Sequence, residues 1–552
     1  MKKLLVCLSL CLLFMFSGCE FLSSVLLGDG YQLESYKETK QFVETDKNAN
    51  IYLVKLNNSD VTIKAQETGY ANNPRSVMTQ PADYSDTDSF IRSLNRQLNL
   101  SLENDCARSA ASARTVTSGY NQKKYIKGET AYFWSFTKIE KNIMGQEKDV
   151  SENIQTECKY VGEHCYIFAD SKNSRLGSKG INLSDSEYKK LGEKFDTCYE
   201  LEVSVNGHPF YSKYNDSYFV PCNEKIIILV SDLFGDANEK QESGTVGYFY
   251  QGDLYNQSYL DANKGLFSSQ LNSNQCEMFY IDALFLTKRP QTVYSTLVHE
   301  FNHMINFVVK TVNYVTENPG KRIRTCDTWF TEMLSMTTED MFQQYLELDD
   351  QHSPKARLPY FNMYYNFGFK SWDSDNKDLQ IVMYANTYAF GAFLARNFGG
   401  VNLIKEIAQN EYINEEAITR ALKKCYSNEI DYEYALKKFS MCLFNTDKPT
   451  AELLAKTGEY QYFSFYRGTD VQDKSGLGFT PIDIMNIICD VQNENGEIVK
   501  QKIEPIFYSY NDRSVDIWPS GFTVHYIGTN ITGFDVYMSN RKGIEYYLIT
   551  QK

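Results

Sequence analysis

Apolar and polar positions along this chain follow two different periods. Alternation of period two dominates from about residue 31 to about 220 and returns after about residue 456. Between them a 3.6-residue period takes over. The early alternation predicts strands at Ile51–Leu56 and Val61–Lys64, joined by the turn cluster Asn57–Asp60, with later strands at Ala131–Phe136 and Cys165–Phe168. Apolar runs at Lys225–Ser231, Thr245–Tyr250 and Glu277–Leu286 predict further strands. Helices are predicted over 291–311, 328–346, 380–398, 401–409, 415–425 and 430–442. Strands return at Pro505–Tyr510, Phe522–Ile527 and Phe534–Met538, cut by Gly, Asn and Asp turns. A sheet followed by a run of helices is an α+β arrangement. The divisions expected are a β-rich region over 31–220, a mixed region over 221–455, and a β-sandwich-like region over 456–552. Ala107–Gly119, rich in Ser, Ala, Thr and Arg, reads as an exposed linker, with a propeptide junction as the alternative.

The first residues follow neither period. Lys2 and Lys3 precede an apolar run from Leu4 to Phe16, then Ser17, Gly18 and Cys19. A charged start, a short apolar core and small residues before the cut make residues 1–18 a secretory signal. Phe-Ser-Gly-Cys resembles a bacterial lipobox, with Phe16 where Leu is commoner. The resemblance implies lipidation of Cys19 and a tether over 19–30. No later apolar run reaches the roughly 18 residues a membrane span needs. The expected location is therefore the bacterial cell envelope, with the body held to a membrane by its N-terminal lipid.

Composition excludes some partners and compartments. The 552 residues carry 42% hydrophobic and 14% aromatic side chains, enough to bury large cores and exclude global disorder. A formal net charge of −14 argues against nucleic acid as a partner. Thirteen cysteines include two in the leader and Cys19; the remaining ten show no C-x-x-C spacing. Export permits disulfides, with Cys158 and Cys165 near a hairpin as candidates; buried free thiols are the alternative.

Two of the six histidines fall in one pentapeptide, His299-Glu300-Phe301-Asn302-His303. Chance would produce H-E-x-x-H only about 0.004 times in such a length. The stretch around it lacks Gly and Pro and is apolar enough for a buried helix. Residues four apart share a helix face at about 6 Å, so two imidazoles so placed can grip one Zn²⁺. Glu300 is turned about 100° away, beside the metal, where it can serve as general base. Burying these groups in an apolar helix is costly unless a cation pairs with them.

A third ligand must come from elsewhere. Six residues after His303 stands Val309, not the His of the H-E-x-x-H-x-x-G-x-x-H class. Glu332, in Trp329-Phe-Thr-Glu-Met-Leu-Ser-Met, opens a second predicted helix with Asp327 as its N-cap. A carboxylate among Trp, Phe, Met and Leu wants a cation. Two His, one Glu and a water make the open coordination set of a catalytic zinc site. Glu339 and Asp340 are candidates to orient the imidazoles.

Glu277-Met-Phe-Tyr-Ile-Asp, the His299–Phe307 stretch, Glu332-Met-Leu-Ser-Met and Gly391-Ala-Phe-Leu-Ala-Arg-Asn-Phe-Gly-Gly together resemble the hyicolysin family of bacterial zinc metallopeptidases, a gluzincin family. The resemblance covers roughly 220–450. It implies a zincin-like peptidase region with His299, His303 and Glu332 as zinc ligands and Glu300 as catalytic acid/base. Four residues after Glu332, where thermolysin-like enzymes have Asp, stands Met336, so the imidazoles must be oriented differently. Tyr384-Ala-Asn-Thr-Tyr388-Ala-Phe-Gly391 is similar to the Tyr-x-x-Gly segment of gluzincin aminopeptidases. That likeness implies Tyr388 as oxyanion donor, with His352 as runner-up and a helix core stripe as the plain alternative.

Two other patterns carry no chemistry. Asp373–Asp378 opens like an EF-hand loop but lacks its Gly and its final Glu. The aromatic run Phe507–Tyr526 has the period of an ordinary sheet core. The expectation is thus a lipid-anchored, exported zinc endopeptidase that hydrolyses protein or peptide substrates with a zinc-activated water. Substrate would lie along an edge strand, either Thr245–Tyr250 or Glu277–Phe285. The alternative is a surface-binding lipoprotein that keeps the scaffold without strong activity. An aminopeptidase ranks third, because no Gly-x-Met-x-Asn-type motif precedes the helix.

Overall fold

The computed structural model describes residues 31–32, 40–44, 50–67, 87–108, 116–121, 123–141, 147–170, 181–236, 244–267, 270–319, 321–323, 325–372, 377–445, 463–468, 476–492, 498–509, 512, 515–529, 533–539 and 541–551. The leader, Cys19, the tether, most of the expected linker and the first four residues of Asp373–Asp378 lie outside them. The strands of the two larger sheets are β1 (Tyr31–Gln32), β2 (Asn50–Asn57), β3 (Thr130–Lys141), β4 (Glu147–Val161), β5 (Cys165–Asp170), β6 (Ile226–Ser231), β7 (Gly247–Tyr248), β8 (Met278–Asp282), β9 (Tyr508–Ser509), β10 (Phe522–Thr529) and β11 (Ile544–Gln551). The main helices are α1 (Thr87–Arg108), α2 (Asp185–Asn206), α3 (Pro290–Phe307), α4 (Thr328–Phe342), α5 (Lys377–Phe398), α6 (Gly400–Gln409), α7 (Asn414–Cys425) and α8 (Tyr432–Met441).

Six strands form one sheet in the order β7-β8-β6-β5-β4-β3. Its centre is parallel: β6 pairs in parallel with both β5 and β8, while β7 runs antiparallel on the edge. Every residue of β6, Ile-Ile-Ile-Leu-Val-Ser, is buried. That is the pattern of a strand covered on both faces. The sheet joins strands from either side of residue 220, linked through α2. A second sheet, β1-β11-β2-β10-β9, joins the two ends of the chain. In β2, Ile51 and Leu53 enter one small core, whereas Val54 and Leu56 enter the helical core on the opposite face.

The six-stranded sheet shares an apolar core with α1, α2 and α3, through Leu98, Phe195 and Phe301 among others. A second core gathers α4 to α8. Among the described residues no helix is long and apolar enough to cross a membrane.

Several elements differ from their sequence reading. The stretch read as mainly β contains two 22-residue helices, α1 and α2. In α1, Ile91, Leu94, Leu98 and Leu102 are buried at helical spacing, diluted by polar residues that hide the period. Val61–Lys64 contributes only an isolated bridge between Ile63 and Ile517. The strand read over Glu277–Leu286 stops at Asp282. Its carboxylate accepts from the Leu284 and Phe285 amides and so caps a short helix, Ala283–Lys288. Of the C-terminal strands, β10 and β11 pair with β2, β11 also with β1, and Gly533–Tyr537 with Lys40–Glu44, whereas Ile487–Gln492 and Ile498–Ile503 pair with each other and β9 with β10; period two shows a strand's faces but not its partner. Cys158 and Cys165 are buried free thiols, like seven of the other eight described cysteines in being wholly or partly covered. The long helix over 291–311 is α-helical to Phe307 and then turns π over Val308–Val312. In that turn Lys310 Nζ donates to the carbonyls of Ile407, Asn410 and Tyr412 at 2.9, 2.5 and 2.8 Å. This ties the end of α3 to the C-terminus of α6.

His525 of β10 is buried, with Nδ1 2.9 Å from the Ser509 carbonyl and Nε2 2.9 Å from Thr523 Oγ1. Burial, aided by the charge of Lys55, pushes its pKa down to about 3. A depressed folded pKa gives stability that is present above the unfolded value of about 6.5 and lost as pH falls. On the order of 3 kcal/mol should disappear between pH 6.5 and pH 4. Thermal melts of His525→Gln across that range should show a distinctly flatter pH dependence than the parent; parallel curves would show that His525 does not set it.

Candidate metal centre

α3 starts with Pro290 at its first turn and has no Gly or Pro inside. Residues 295, 299, 302 and 303 share the face it turns to α4. On α4, residues 332, 335 and 339 share the answering face at spacings of three and four. α5 packs behind α4 closely enough that a Cβ on Gly391 would stand 2.9 Å from Met333 Cγ and collide with Thr337. Only glycine permits that approach.

These faces bring His299, His303 and Glu332 together. One ligand atom from each lies within 4.8 Å of the others. The two Nε2 atoms are 3.0 Å apart, and Glu332 Oε2 is 3.3 Å from His299 Nε2 and 3.6 Å from His303 Nε2. A tetrahedral ion with bonds of 2.0–2.1 Å would separate its ligands by about 3.3 Å.

The surrounding hydrogen bonds fix which nitrogens carry protons. His299 Nδ1 lies 2.7 Å from Glu339 Oε1, and Ser295 Oγ donates to Glu339 Oε2 at 2.6 Å. A carboxylate accepts only, so His299 Nδ1 carries the hydrogen. Ser335 Oγ donates to Asn302 Oδ1 at 3.0 Å and lies 3.2 Å from His303 Nδ1. With the serine hydrogen used, His303 Nδ1 donates to Ser335. Both Nε2 lone pairs therefore converge on one point, beside a buried Glu332 Oε2 with no hydrogen-bond partner. Lone pairs and an unpartnered carboxylate oxygen facing each other call for a cation between them. A divalent metal fits this donor set.

The electrostatics agree. Burial alone would push the His299 pKa down, but Glu339 and Glu332 outweigh it and hold it well above the ordinary value. Burial alone would raise Glu332, yet the two imidazoles hold it well below the usual carboxylate range. Each group finds its surroundings demanding the opposite charge.

The triad sits in a cleft of about 690 Å³. Its walls are α1, the edge strand β7, α3, the start of α4, and the loop and turn segments around His352 and Arg357. Glu300 is buried in α3 and lines this cleft beside His299. Of the two strands expected to hold substrate, only β7 is an edge; β8 is paired on both sides.

Other expected residues fall elsewhere. Glu339 orients His299, whereas Asp340 turns away and pairs with Arg396 at 2.7 Å in the helical core. Asp327 stands at the N-cap of α4 without a side-chain cap bond. Tyr388 does not line the cleft. It is wholly buried beside Asp340 and Arg396; burial and the Asp340 charge hold its pKa well above the ordinary value. One turn earlier, Tyr384 does line the cleft, and its hydroxyl accepts a hydrogen bond from Arg92 Nη1. α5 is apolar on all sides, so its pattern could not show which tyrosine faces inward. His352 also lines the cleft, with Nδ1 2.7 Å from Asp349 Oδ1. Sequence reading missed Ser335 and Arg92. A serine three residues after Glu332 had a helical signal; Arg92, some 200 residues before the motif, had none.

Residues 172–452 match the model of the Peptidase M30 family. The chain is also 27% identical over 279 residues to neutral metalloprotease ShpI of Staphylococcus hyicus. That alignment covers 49% of this chain and 55% of the relative, so the chain spans little more than half of that protein's length. The matched stretch takes in α2 to α8 and the whole triad and, at just over half the chain, is enough to show that this protein belongs to the peptidase M30 family.

Proposed function

We propose that this chain is a zinc-dependent endopeptidase of gluzincin type, exported and anchored by lipid at Cys19 in a bacterial cell envelope. The observation that carries the reading is the convergence of two imidazole lone pairs and a bare, buried carboxylate oxygen on one point of an open cleft. His299, His303 and Glu332 would hold the zinc. A zinc ion there would supply a Lewis acid that lowers the pKa of water and polarises a substrate carbonyl.

The rest of the work falls to the chain's own groups. Glu300 accepts the proton of the attacking water and passes it to the leaving amine. Glu339 and Ser335 hold the imidazoles in the tautomer that leaves Nε2 free. Tyr384 takes the oxyanion role that Tyr388 cannot reach. Because Arg92 donates to the Tyr384 oxygen, the phenol proton remains available for the oxygen of the tetrahedral intermediate. Gly247 of the edge strand offers its backbone to an extended peptide. The apolar leader and the small residues before Cys19 support the anchor. An acidic body on a tether would stand off an anionic membrane.

Glu300→Gln should bind zinc stoichiometrically and hydrolyse casein at least a hundredfold more slowly than the parent; digestion at the parental rate would overturn the mechanism. Tyr384→Phe should lower kcat roughly tenfold to a thousandfold with little change in KM, as measured on a fluorogenic peptide. An unchanged kcat would remove Tyr384 from the mechanism. Cells given a labelled fatty acid should incorporate it into the parent protein and not into Cys19→Ser; equal labelling of both would exclude the anchor.

A further inference from the structure

The cleft is closed at one end by α1, which lies outside the stretch matching the family. Its polar face presents Arg92, Asn95, Arg96 and Asn99 at spacings of three and four, opposite the buried leucines.

Asn95 terminates the edge strand. The Asp282 amide donates to the Val246 carbonyl at 2.8 Å, and Gly247 stands opposite Ile281. Val246 and Tyr248 therefore face β8, and Gly247 and Phe249 turn their backbone groups outward. The Phe249 carbonyl is taken by Asn95 Nδ2 at 3.2 Å, and the Gln251 amide by Asn95 Oδ1 at 3.2 Å. At the other end the Thr245 amide is held by Asp236 Oδ2 at 3.1 Å. Gly247 is left between two stops. A peptide paired there runs into α1 after about one residue.

One turn from Asn95 stands Arg92. Its Nη1 is 4.0 Å from Glu332 Oε1 and bonds the Tyr384 hydroxyl, and its Nη2 is 3.3 Å from Gln380 Oε1. The Arg92 and Arg357 guanidiniums both approach the Tyr384 ring, at 5.1 and 5.7 Å from its centroid. Two cations thus converge on Tyr384, and Arg92 stands next to the Glu332 carboxylate that a metal would claim. Elsewhere on this wall Glu103 accepts from Thr325 at 2.9 and 2.6 Å, and the charge of Arg96 acts on Asp327.

We propose that Arg92, supported by Arg357, binds a substrate carboxylate next to the scissile bond, so that the cleft selects peptides presenting that anion at the closed end. This deepens the peptidase reading and rests on it. An Asp or Glu side chain beside the scissile bond fits the endopeptidase reading, whereas the C-terminal carboxylate of a short peptide fits the blocked edge; both present the same anion, and the test separates them. A bidentate guanidinium–carboxylate contact gives such a choice both strength and direction.

The test is binding, measured by calorimetry on the full-length mature protein carrying Glu300→Gln, so that nothing is turned over. Three ligands are compared: an N-acetylated tetrapeptide as its free acid, the same peptide as its amide, and the amide with glutamate as its last residue. The acid should bind at least tenfold more tightly than the plain amide. Arg92→Gln should bring that ratio close to one, Arg357→Gln should reduce it, and Arg92→Lys should restore part of it. If the glutamyl amide matches the acid, the carboxylate site stands and its natural source is a side chain. Acid and amide binding equally would overturn the proposal. So would an Arg92→Gln variant that weakens both in the same proportion, which is what a distorted fold would do. The acid-to-amide ratio needs no hydrolysis, so a failure of the peptidase reading would show separately, as zinc-loaded parent protein that leaves casein intact.

Discussion

Two imidazole nitrogens 3.0 Å apart, each with its lone pair turned to the other, repel unless a cation stands between them. Much of the surrounding structure holds that arrangement. The Glu339 and Ser335 contacts prevent either ring from flipping its proton inward. Gly391 lets α5 press α4 against α3, which keeps Glu332 within reach. Lys310 fastens the far end of α3 to the C-terminus of α6. Each of these groups is buried and costly to leave without its partner. The constraint therefore runs from the donor set outward: the helices are placed where three ligand atoms meet.

How much of this could be read from the chain depends on how local each signal is. The His299–His303 helix was legible because ligand spacing and helical period agree within one segment. Glu332 was legible because a carboxylate among Trp329, Phe330 and Met333 has no reason to be there without a cation. All six helices predicted in the second half have an observed counterpart close to their ranges. Tyr388 failed because α5 is apolar around its whole circumference, so the period could not distinguish it from Tyr384. The strands were legible as strands but not as neighbours. β2 finds β10 and β11 nearly 500 residues away, and nothing in an alternating pattern names its partner. α1 was missed because its four buried leucine and isoleucine positions are diluted by Arg, Asn, Gln and Ser.

That missed helix changes how the labour is divided. His299, His303, Glu332, Glu300 and the groups that orient the imidazoles all lie within 172–452, the stretch that matches the family. The wall that ends the edge strand, and a guanidinium 4.0 Å from Glu332, come from residues 87–108. On the proposed reading, chemistry and selection would sit on segments separated in sequence and joined in space. α1 is not a loose cover, because Ile91, Leu94, Leu98 and Leu102 enter the same core as the central sheet. Its apolar face fixes where its polar face must be.

A guanidinium 4.0 Å from a metal ligand is, taken alone, an awkward neighbour. It competes for the carboxylate and, once a metal is held, adds positive charge to a site already rich in it. Stability alone would favour a neutral residue at position 92. The arrangement becomes reasonable when a third charge is included. An anion arriving beside Tyr384 would be attracted by both cations, and its binding would relieve the repulsion between them. The proposed carboxylate site would thus turn that placement of charge into preference for a charged ligand. Under the proposed mechanism catalysis would gain from the same arrangement, because negative charge develops on the carbonyl oxygen as the bond breaks, and Arg92 already holds the Tyr384 hydroxyl before the substrate arrives.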